Sequence, residues 1–184
     1  THYVDDGTVD IPAYLSAMKE SRHPVRSACP SPDLYAKDMV SCEGDCFVVT
    51  LSSKLSGSHN AAMIGRDLAL EEAPDKKIHV FDSESACSGE TYLALMIHDL
   101  IDAGKSFNEI VELVEEKIRT LHTLFVLDSL DNLVKNGRIS KAVALLANVL
   151  SIRLLMSDDG AGSIKNISKA RGIKGALTQM VETC

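Results

Sequence analysis

Four serines occur within the seven residues 52–58, SSKLSGS. A short apolar run at residues 47–51 precedes this segment and a helical pattern begins at His59, which predicts a buried strand, a polar turn and a helix. The first N–H groups of a helix have no partner within it, and the helix dipole favours a negative charge nearby. We call residues 52–58 the first serine turn and consider it a candidate anion-binding site. The alternative is that Ser56 or Ser58 simply caps the helix.

A similar arrangement follows the next predicted strand, residues 77–81. Residues 83–88 (SESACS), which we call the second serine turn, lead directly into another helical pattern. In an open α/β sheet, ligands bind at the carboxyl ends of the strands. Because both serine turns follow strand ends, the sequence predicts that they lie on the same edge of the sheet.

Basic residues later in the chain provide further candidates for binding an anion. Arg138 follows Gly137 in the segment NGRIS, and its guanidinium could bind a carboxylate or phosphate with two hydrogen bonds. The alternative is a helix C-cap glycine followed by a solvent-exposed arginine. A basic cluster near the end of the chain is either solvated charge or a docking surface for an acidic or phosphate-bearing partner. It comprises Lys165, Lys169, Arg171 and Lys174.

The sequence offers little support for catalysis or metal binding. It contains neither a G-x-S-x-G motif nor the phosphate loop G-x-x-x-x-G-K-S/T. His59 could act as a base, but an isolated histidine at a helix start is more often structural. Cys42 and Cys46 lack the second pair of ligands that a structural zinc site needs. Cys87 is better explained as a packed small residue than as a reactive thiol. We therefore expect no metal and no cofactor.

Composition narrows the choice of partner and compartment. The chain has 184 residues, of which 45% are hydrophobic, so a packed core is expected. A net charge of −7 argues against nucleic acid as the main partner. No apolar run approaches the roughly 20 residues that cross a bilayer, and the polar, acidic start is unlike a signal peptide, so no stable membrane insertion is expected. Five irregularly spaced cysteines favour a cytoplasmic location over a disulfide framework.

Apolar periodicity predicts the elements that position these residues. Strands at residues 47–51, 77–81 and 124–127 alternate with helices, which predicts an α/β fold with a mostly parallel sheet flanked by helices. The pattern then changes, and we divide the chain into an α/β domain (1–123) and part of a second, smaller α/β subdomain (124–184). The later elements are a short helix at 128–135, a helix at 142–150, a strand pair at 152–156 and 163–167, and a final helix from about Lys174.

Several segments together resemble the DegV family of bacterial lipid-binding proteins. They are SACPSP (27–32), SSKLSGS (52–58), DSESACSGE (82–90), DSLDNLVKNGRIS (128–140) and KARGIK (169–174). The resemblance implies a two-domain α/β fold with a fatty acid bound between the domains. It also implies similarity to the fatty-acid-binding subunits of a bacterial fatty acid kinase, which present the acyl carboxylate to a separate ATP-dependent kinase and are not themselves catalysts.

The resemblance also implies roles for individual residues. Ser27 and Ser56 occupy the positions whose hydroxyls hold the carboxylate. We expect Ser53 and Gly57, in the same segment as Ser56, to take part in binding it, with backbone N–H groups near Gly57 assisting. Arg138 occupies the arginine position near the head group. Arg171 and Lys174 match a basic segment that is expected to face the kinase. The family's opening strand and its C-terminal portion, which contributes a histidine, have no counterpart in these 184 residues, so the chain is expected to be processed, partial or shortened.

The sequence therefore leads to three hypotheses about function. The first is a non-enzymatic carrier in which Ser27 and Ser56 bind the carboxylate of a long-chain fatty acid for a partner kinase. The second is a hydrolase or phosphotransfer enzyme that uses the first serine turn for an acyl or phosphate group and needs no partner for turnover. The third is a regulatory module without a ligand.

Overall fold

A computed structural model of the protein describes residues 2–4, 6–21, 25–140, 143 and 152–183. Within these residues, seven helices and five strands form two separate sheets. The helices are α1 (Ile11–Glu20), α2 (Pro32–Ser41), α3 (Ser58–Glu72), α4 (Ser88–Asp102), α5 (Phe107–Ile118), α6 (Asp131–Lys135) and α7 (Gly172–Thr183). The strands are β1 (Cys46–Thr50), β2 (Ile78–Asp82), β3 (Phe125–Val126), β4 (Ile152–Asp158) and β5 (Ile164–Arg171).

Side-chain caps mark the starts of three helices. Asp10 accepts a hydrogen bond from the Ala13 N–H at the start of α1, and Ser31 caps α2 in the same way. Ser106 and Glu109 form a capping box at α5. Hydrogen bonds from the Ser106 N–H, the Ser106 hydroxyl and Lys105 lower the pKa of Glu109 to about 2. This carboxylate therefore stays ionised, and able to accept these hydrogen bonds, at pH values well above its pKa.

The first sheet pairs β1 with β2 in parallel and lies between two layers of helices. Alternate residues of a strand point to opposite faces, and the core divides accordingly. On one face, Phe81 packs against α4 and α5. On the other face, Val80 and Cys46 pack against α2 and α3. This strand, helix and strand arrangement confirms the predicted α/β class with helices on both faces.

Helices α2 and α3 pack closely because Gly65 faces α2. A Cβ atom added to Gly65 would lie 2.6 Å from the Tyr35 Cβ atom and 2.7 Å from the Pro32 carbonyl oxygen. Both distances are shorter than real Cβ contacts, so the crossing requires glycine at this position. Tyr35 is half-buried, and burial raises the pKa of its hydroxyl while the Ser58 side chain at the start of α3 lowers it.

The second sheet corrects one prediction. The apolar residues 124–127 were expected to extend the parallel sheet, but β3 has two residues and pairs antiparallel with β4. A short apolar run does not specify its partner, and the path of the chain assigns β3 to the other sheet. The predicted hairpin at 158–160 is confirmed, although β5 continues to Arg171 past a register shift opposite Leu155 and Met156.

A separate apolar cluster supports the second sheet. Leu130, Ile139, Leu154 and Met156 are buried together there. The helix predicted at residues 142–150 lies outside the described residues, apart from Val143. The division of the chain between residues 123 and 124 stays a prediction. None of the helices in the described part of the chain is both long enough and apolar enough to span a bilayer.

Candidate ligand-binding site

The two serine turns meet at one edge of the first sheet, as predicted. The Ser52 N–H donates to the Ser85 carbonyl oxygen at 2.9 Å, and the Ser53 N–H donates to Asp82 Oδ1 at 3.0 Å. Both turns follow the carboxyl ends of parallel strands, so the pairing of β1 with β2 brings them together. These hydrogen bonds within the protein therefore hold the backbone of the first serine turn without the help of a ligand.

The four serines of the first serine turn have different surroundings. Ser52 is fully buried, and its hydroxyl donates to the Gly162 carbonyl oxygen at 2.7 Å. Ser58 is also buried, with its Oγ atom 2.8 Å from Ser56 Oγ. Ser53 is exposed and Ser56 is half-buried. Of the serines in this turn, Ser53 and Ser56 are thus the two that are not buried.

The start of α3 differs from the simple capping alternative. Gly57 is the N-cap residue, and it has no side chain that could accept a hydrogen bond. The Ser56 hydroxyl instead accepts the Ser58 N–H at 3.2 Å. This is a local turn contact between residues two apart, and it holds the Ser56 Oγ atom beside the helix N-terminus. An anion approaching Gly57 would therefore meet the Ser56 hydroxyl and the positive end of α3.

The segment that contains Ser27 runs past the first serine turn. A Cβ atom placed on Gly57 would lie 3.6 Å from the Cys29 Sγ atom, an ordinary contact distance. Ser27 is exposed, and because it is two residues from Cys29, their Cα atoms are at most about 7 Å apart. The contact made by Cys29 brings this segment to the turn.

Arg138 also reaches the first serine turn. Its Nε atom donates to the Leu55 carbonyl oxygen at 3.2 Å, and its Nη1 atom donates to the Asn136 carbonyl oxygen at 3.4 Å. The alternative of a solvent-exposed arginine is therefore wrong, since the side chain is half-buried against the turn. Asn136 Nδ2 also donates to the Val25 carbonyl oxygen at 2.9 Å, which links the segment of Ser27 to that of Arg138.

Arg171 and Lys174 lie in a different part of the molecule. Arg171 is the last residue of β5, Lys174 lies in the first turn of α7, and both are exposed. The opposite end of β5 adjoins the hairpin tip that contacts Ser52. Seven residue steps along β5 correspond to about 23 Å, so these basic side chains are remote from the first serine turn.

The remaining chemical candidates are His59, Cys46 and Cys87. His59 Nδ1 lies 3.3 Å from Thr50 Oγ1, whose own proton goes to the Phe81 carbonyl oxygen, so His59 is the donor in this pair. Cys46 is buried, and burial raises the pKa of its thiol to about 11. The prediction that Cys87 is packed is wrong, because this residue is exposed at the start of α4. Across the described residues, no cluster of His, Cys, Asp or Glu side chains could hold a metal ion.

Two contributors to the site were absent from the sequence-based prediction. Gly162 contacts Ser52 from 110 residues away, and Tyr35 reaches Ser58 from α2. The two glycines in residues 160–162 are a signal for a tight turn, but nothing in that signal identifies Ser52 as the neighbour. Long-range contacts of this kind require the folded structure.

Comparison with known proteins identifies the family of this chain. The family model described as "Uncharacterised protein, DegV family" matches residues 1–184. A DegV domain-containing protein of Streptococcus pneumoniae is 41% identical over 175 residues, which cover 95% of this chain and 62% of that protein. The chain thus spans less than two thirds of the length of this curated relative.

Two solved structures are similar over nearly the whole chain. A DegV family protein of Ruminococcus gnavus with vaccenic acid shares 40% identity with a TM-score of 0.92, covering 100% of this chain and 65% of that one. The Streptococcus pneumoniae Fatty Acid Kinase (Fak) B3 protein loaded with linoleic acid shares 38% identity with a TM-score of 0.92, covering 98% and 64%. On the match of the family model to all 184 residues, this chain belongs to the DegV family.

Proposed function

We propose that the protein binds a long-chain fatty acid and presents its carboxylate to a separate ATP-dependent fatty acid kinase. The observation that carries this proposal is the convergence of two segments on the first serine turn. Cys29 brings the segment of Ser27 to Gly57, and Arg138 contacts the carbonyl oxygen of Leu55. Hydroxyl groups, a helix N-terminus and a guanidinium in one region suit a carboxylate head group.

In this proposal the hydroxyls of Ser27 and Ser56 bind the carboxylate, with Ser53 beside them. The N–H of Gly57 and the first turn of α3 add a favourable field for a negative charge. Arg138 is fixed by its hydrogen bonds to two carbonyl oxygens. A guanidinium has five N–H donors, so Arg138 retains donors for the head group after making these two contacts.

The relatives support the same ligand class. The similar structures from Ruminococcus gnavus and Streptococcus pneumoniae contain vaccenic acid and linoleic acid, respectively. Burial of an acyl chain contributes roughly 0.8 kcal/mol for each CH₂ group, which favours long chains.

The kinase partnership follows from the relative described as a Fatty Acid Kinase (Fak) B3 protein. In this proposal the protein is a binding subunit and the partner supplies catalysis. Arg171 and Lys174 form the expected partner surface, and both are exposed. The cytoplasmic location stays a prediction.

Native mass spectrometry of protein purified from a bacterial host tests the binding step. The folded protein should carry an additional mass that matches a fatty acid and is lost on denaturation. Failure of a folded sample to bind added oleate would refute the proposal. Incubation with ATP should give acyl phosphate only when a fatty acid kinase is added, and turnover without a kinase would favour the hydrolase or phosphotransfer alternative.

A substitution tests the site itself. Ser56→Ala should weaken fatty acid binding roughly 10- to 150-fold, because it removes one hydrogen bond to a charged group. Ser41→Ala is the matched control, since Ser41 lies at the far end of α2 and its hydroxyl donates to the Asp38 carbonyl oxygen. Equal binding by both variants would remove Ser56 from the site.

A further inference from the structure

The first serine turn is held in place by a contact from the second sheet. The fully buried Ser52 hydroxyl donates to the carbonyl oxygen of Gly162, at the tip of the hairpin between β4 and β5. The same Oγ atom accepts the Lys54 N–H at 3.2 Å. Both functions of this hydroxyl are therefore used within the protein, and Ser52 has no exposed surface for a ligand.

Ser52 in turn determines the backbone path that leads to Ser56. Its carbonyl oxygen accepts the N–H groups of Leu55 at 2.9 Å and Ser56 at 3.0 Å. Its own N–H is bound to the Ser85 carbonyl oxygen in the second serine turn. A displacement of Ser52 would consequently move the backbone of Ser56 and the N-cap at Gly57.

The hairpin tip that meets Ser52 is internally braced. Asp159 Oδ1 accepts the N–H groups of Ala161 and Ser163, both at 3.0 Å, and the Asp159 N–H donates to the Ser163 carbonyl oxygen at 2.9 Å. Such a closed turn resists deformation more than an open loop of the same length would. The carbonyl oxygen of Gly162 is therefore presented to Ser52 by a well-defined support.

Steric fit makes the contact specific to glycine. Gly162 has a φ of +82°, and a Cβ atom there would lie 2.4 Å from Ser52 Oγ and 3.1 Å from the Glu84 Cα atom. Gly160 in the same turn has a nearly equal φ of +81°, but a Cβ atom there would have no neighbour within 4 Å. The two glycines thus share the backbone requirement, and only Gly162 is also required for close approach.

We propose that Ser52 and Gly162 are positioning residues for the head-group site. They hold the first serine turn so that the Ser56 hydroxyl and the start of α3 face a carboxylate, which neither Ser52 nor Gly162 touches. Recognition of the head group thereby depends on the second sheet, although the groups of the first serine turn that bind the carboxylate belong to the first sheet's side of the molecule. The positioning role rests on the proposed fatty acid binding.

Three variants test this role. Gly162→Ala forces the hairpin tip away from Ser52, and Ser52→Ala removes the hydroxyl without adding bulk. Gly160→Ala is the matched control. It places an alanine in the same unfavourable left-handed backbone conformation, in the same turn, but its Cβ atom meets no neighbour. Circular dichroism first establishes that each variant is folded. Ser52→Ala keeps the test decisive if Gly162→Ala does not fold.

The first measurement uses ligand-free protein and does not depend on fatty acid binding. Hydrogen exchange at the amides of Leu55 and Ser56 should be roughly tenfold faster or more in Ser52→Ala and Gly162→Ala, because the carbonyl oxygen that binds them is no longer fixed. Gly160→Ala should exchange as the unmodified protein does. Unchanged exchange in both test variants would overturn the inference, whatever the protein binds.

The second measurement separates head-group recognition from general damage. The ratio of the affinity for oleate to that for methyl oleate should fall roughly tenfold in Ser52→Ala and Gly162→Ala, since a displaced turn loses hydrogen bonds to the charged group. A loss of stability alone would lower both affinities and leave the ratio unchanged, which would overturn the positioning role. If the unmodified protein binds no oleate, the proposed function fails and the positioning role for a carboxylate fails with it, even where hydrogen exchange is faster.

Discussion

Replacing Gly65 with alanine tests how tightly α2 and α3 pack. The new Cβ atom would lie 2.6 Å from the Tyr35 Cβ atom and 2.7 Å from the Pro32 carbonyl oxygen. Carbon contacts are optimal at about 3.5–4.0 Å, so α2 must move away from α3 by about 1 Å. Neither neighbour is the far end of a flexible side chain, and the backbone itself has to shift.

Two opposing contributions determine the size of the effect. Overpacking of a well-packed interior costs about 1–3 kcal/mol, and a backbone clash places Gly65→Ala in the upper half of that range. Alanine in a helix interior regains about 1 kcal/mol over glycine. We expect a net loss of about 1–2 kcal/mol, which corresponds to a melting temperature about 2–8 °C lower for a chain of this size.

Gly175 in α7 is the matched control. A Cβ atom there would lie 3.5 Å from the Ala170 Cβ atom, an ordinary contact. Gly175→Ala should therefore gain up to about 1 kcal/mol from helix propensity and melt at the same or a higher temperature. Thermal unfolding followed by far-UV circular dichroism measures both variants. If Gly65→Ala is as stable as the unmodified protein while Gly175→Ala behaves as expected, then α2 and α3 do not approach each other closely enough to require glycine at position 65.

Further expectations concern the capping box, the core and the thiols. The pKa of Glu109 is lowered to about 2 in the folded protein, so its contribution to stability is present at neutral pH and lost as the pH falls from about 4.5 to about 2. Urea unfolding of Glu109→Gln should consequently depend less on pH in that window, and an unchanged dependence would contradict the assignment. Leu93→Ala removes a fully buried side chain and should cost about 2–5 kcal/mol in urea unfolding, whereas the exposed Leu95→Ala should change stability by about 0.5 kcal/mol or less. Ellman's reagent should label the exposed Cys87 well before Cys46, whose thiol is buried and has a pKa raised to about 11; equal rates in the folded protein would contradict this burial.

Local signals in the sequence predict much of the fold. Asp10, Ser31 and Ser106 are of residue types that favour helix N-caps, and each of them caps a helix in the structure. The apolar run followed by the first serine turn predicts β1 and α3 with nearly the observed bounds. These signals are reliable because caps and periodicity act between residues only a few positions apart.

Prediction is less complete for pairing and for the orientation of side chains. The sequence indicates a strand at residues 124–127 but does not indicate that it pairs with β4. Similarly, four serines in the first serine turn are equivalent by local pattern, yet two of them are buried and two are not. A packed position was predicted for Cys87, which is exposed, because burial depends on neighbours that are distant along the chain.

By itself, the sequence determined the class of the fold, the edge at which the polar groups gather and the family to which the chain belongs. Only the tertiary structure decided that the Ser52 hydroxyl binds the Gly162 carbonyl oxygen while the Ser56 hydroxyl lies beside Ser58, and that Arg138 lies against Leu55. Local propensity and capping depend on residues that are close together in the sequence. Which of several similar hydroxyl groups is buried depends instead on backbone that is distant along the chain and packs beside them. For this protein, that distant backbone is the hairpin between β4 and β5.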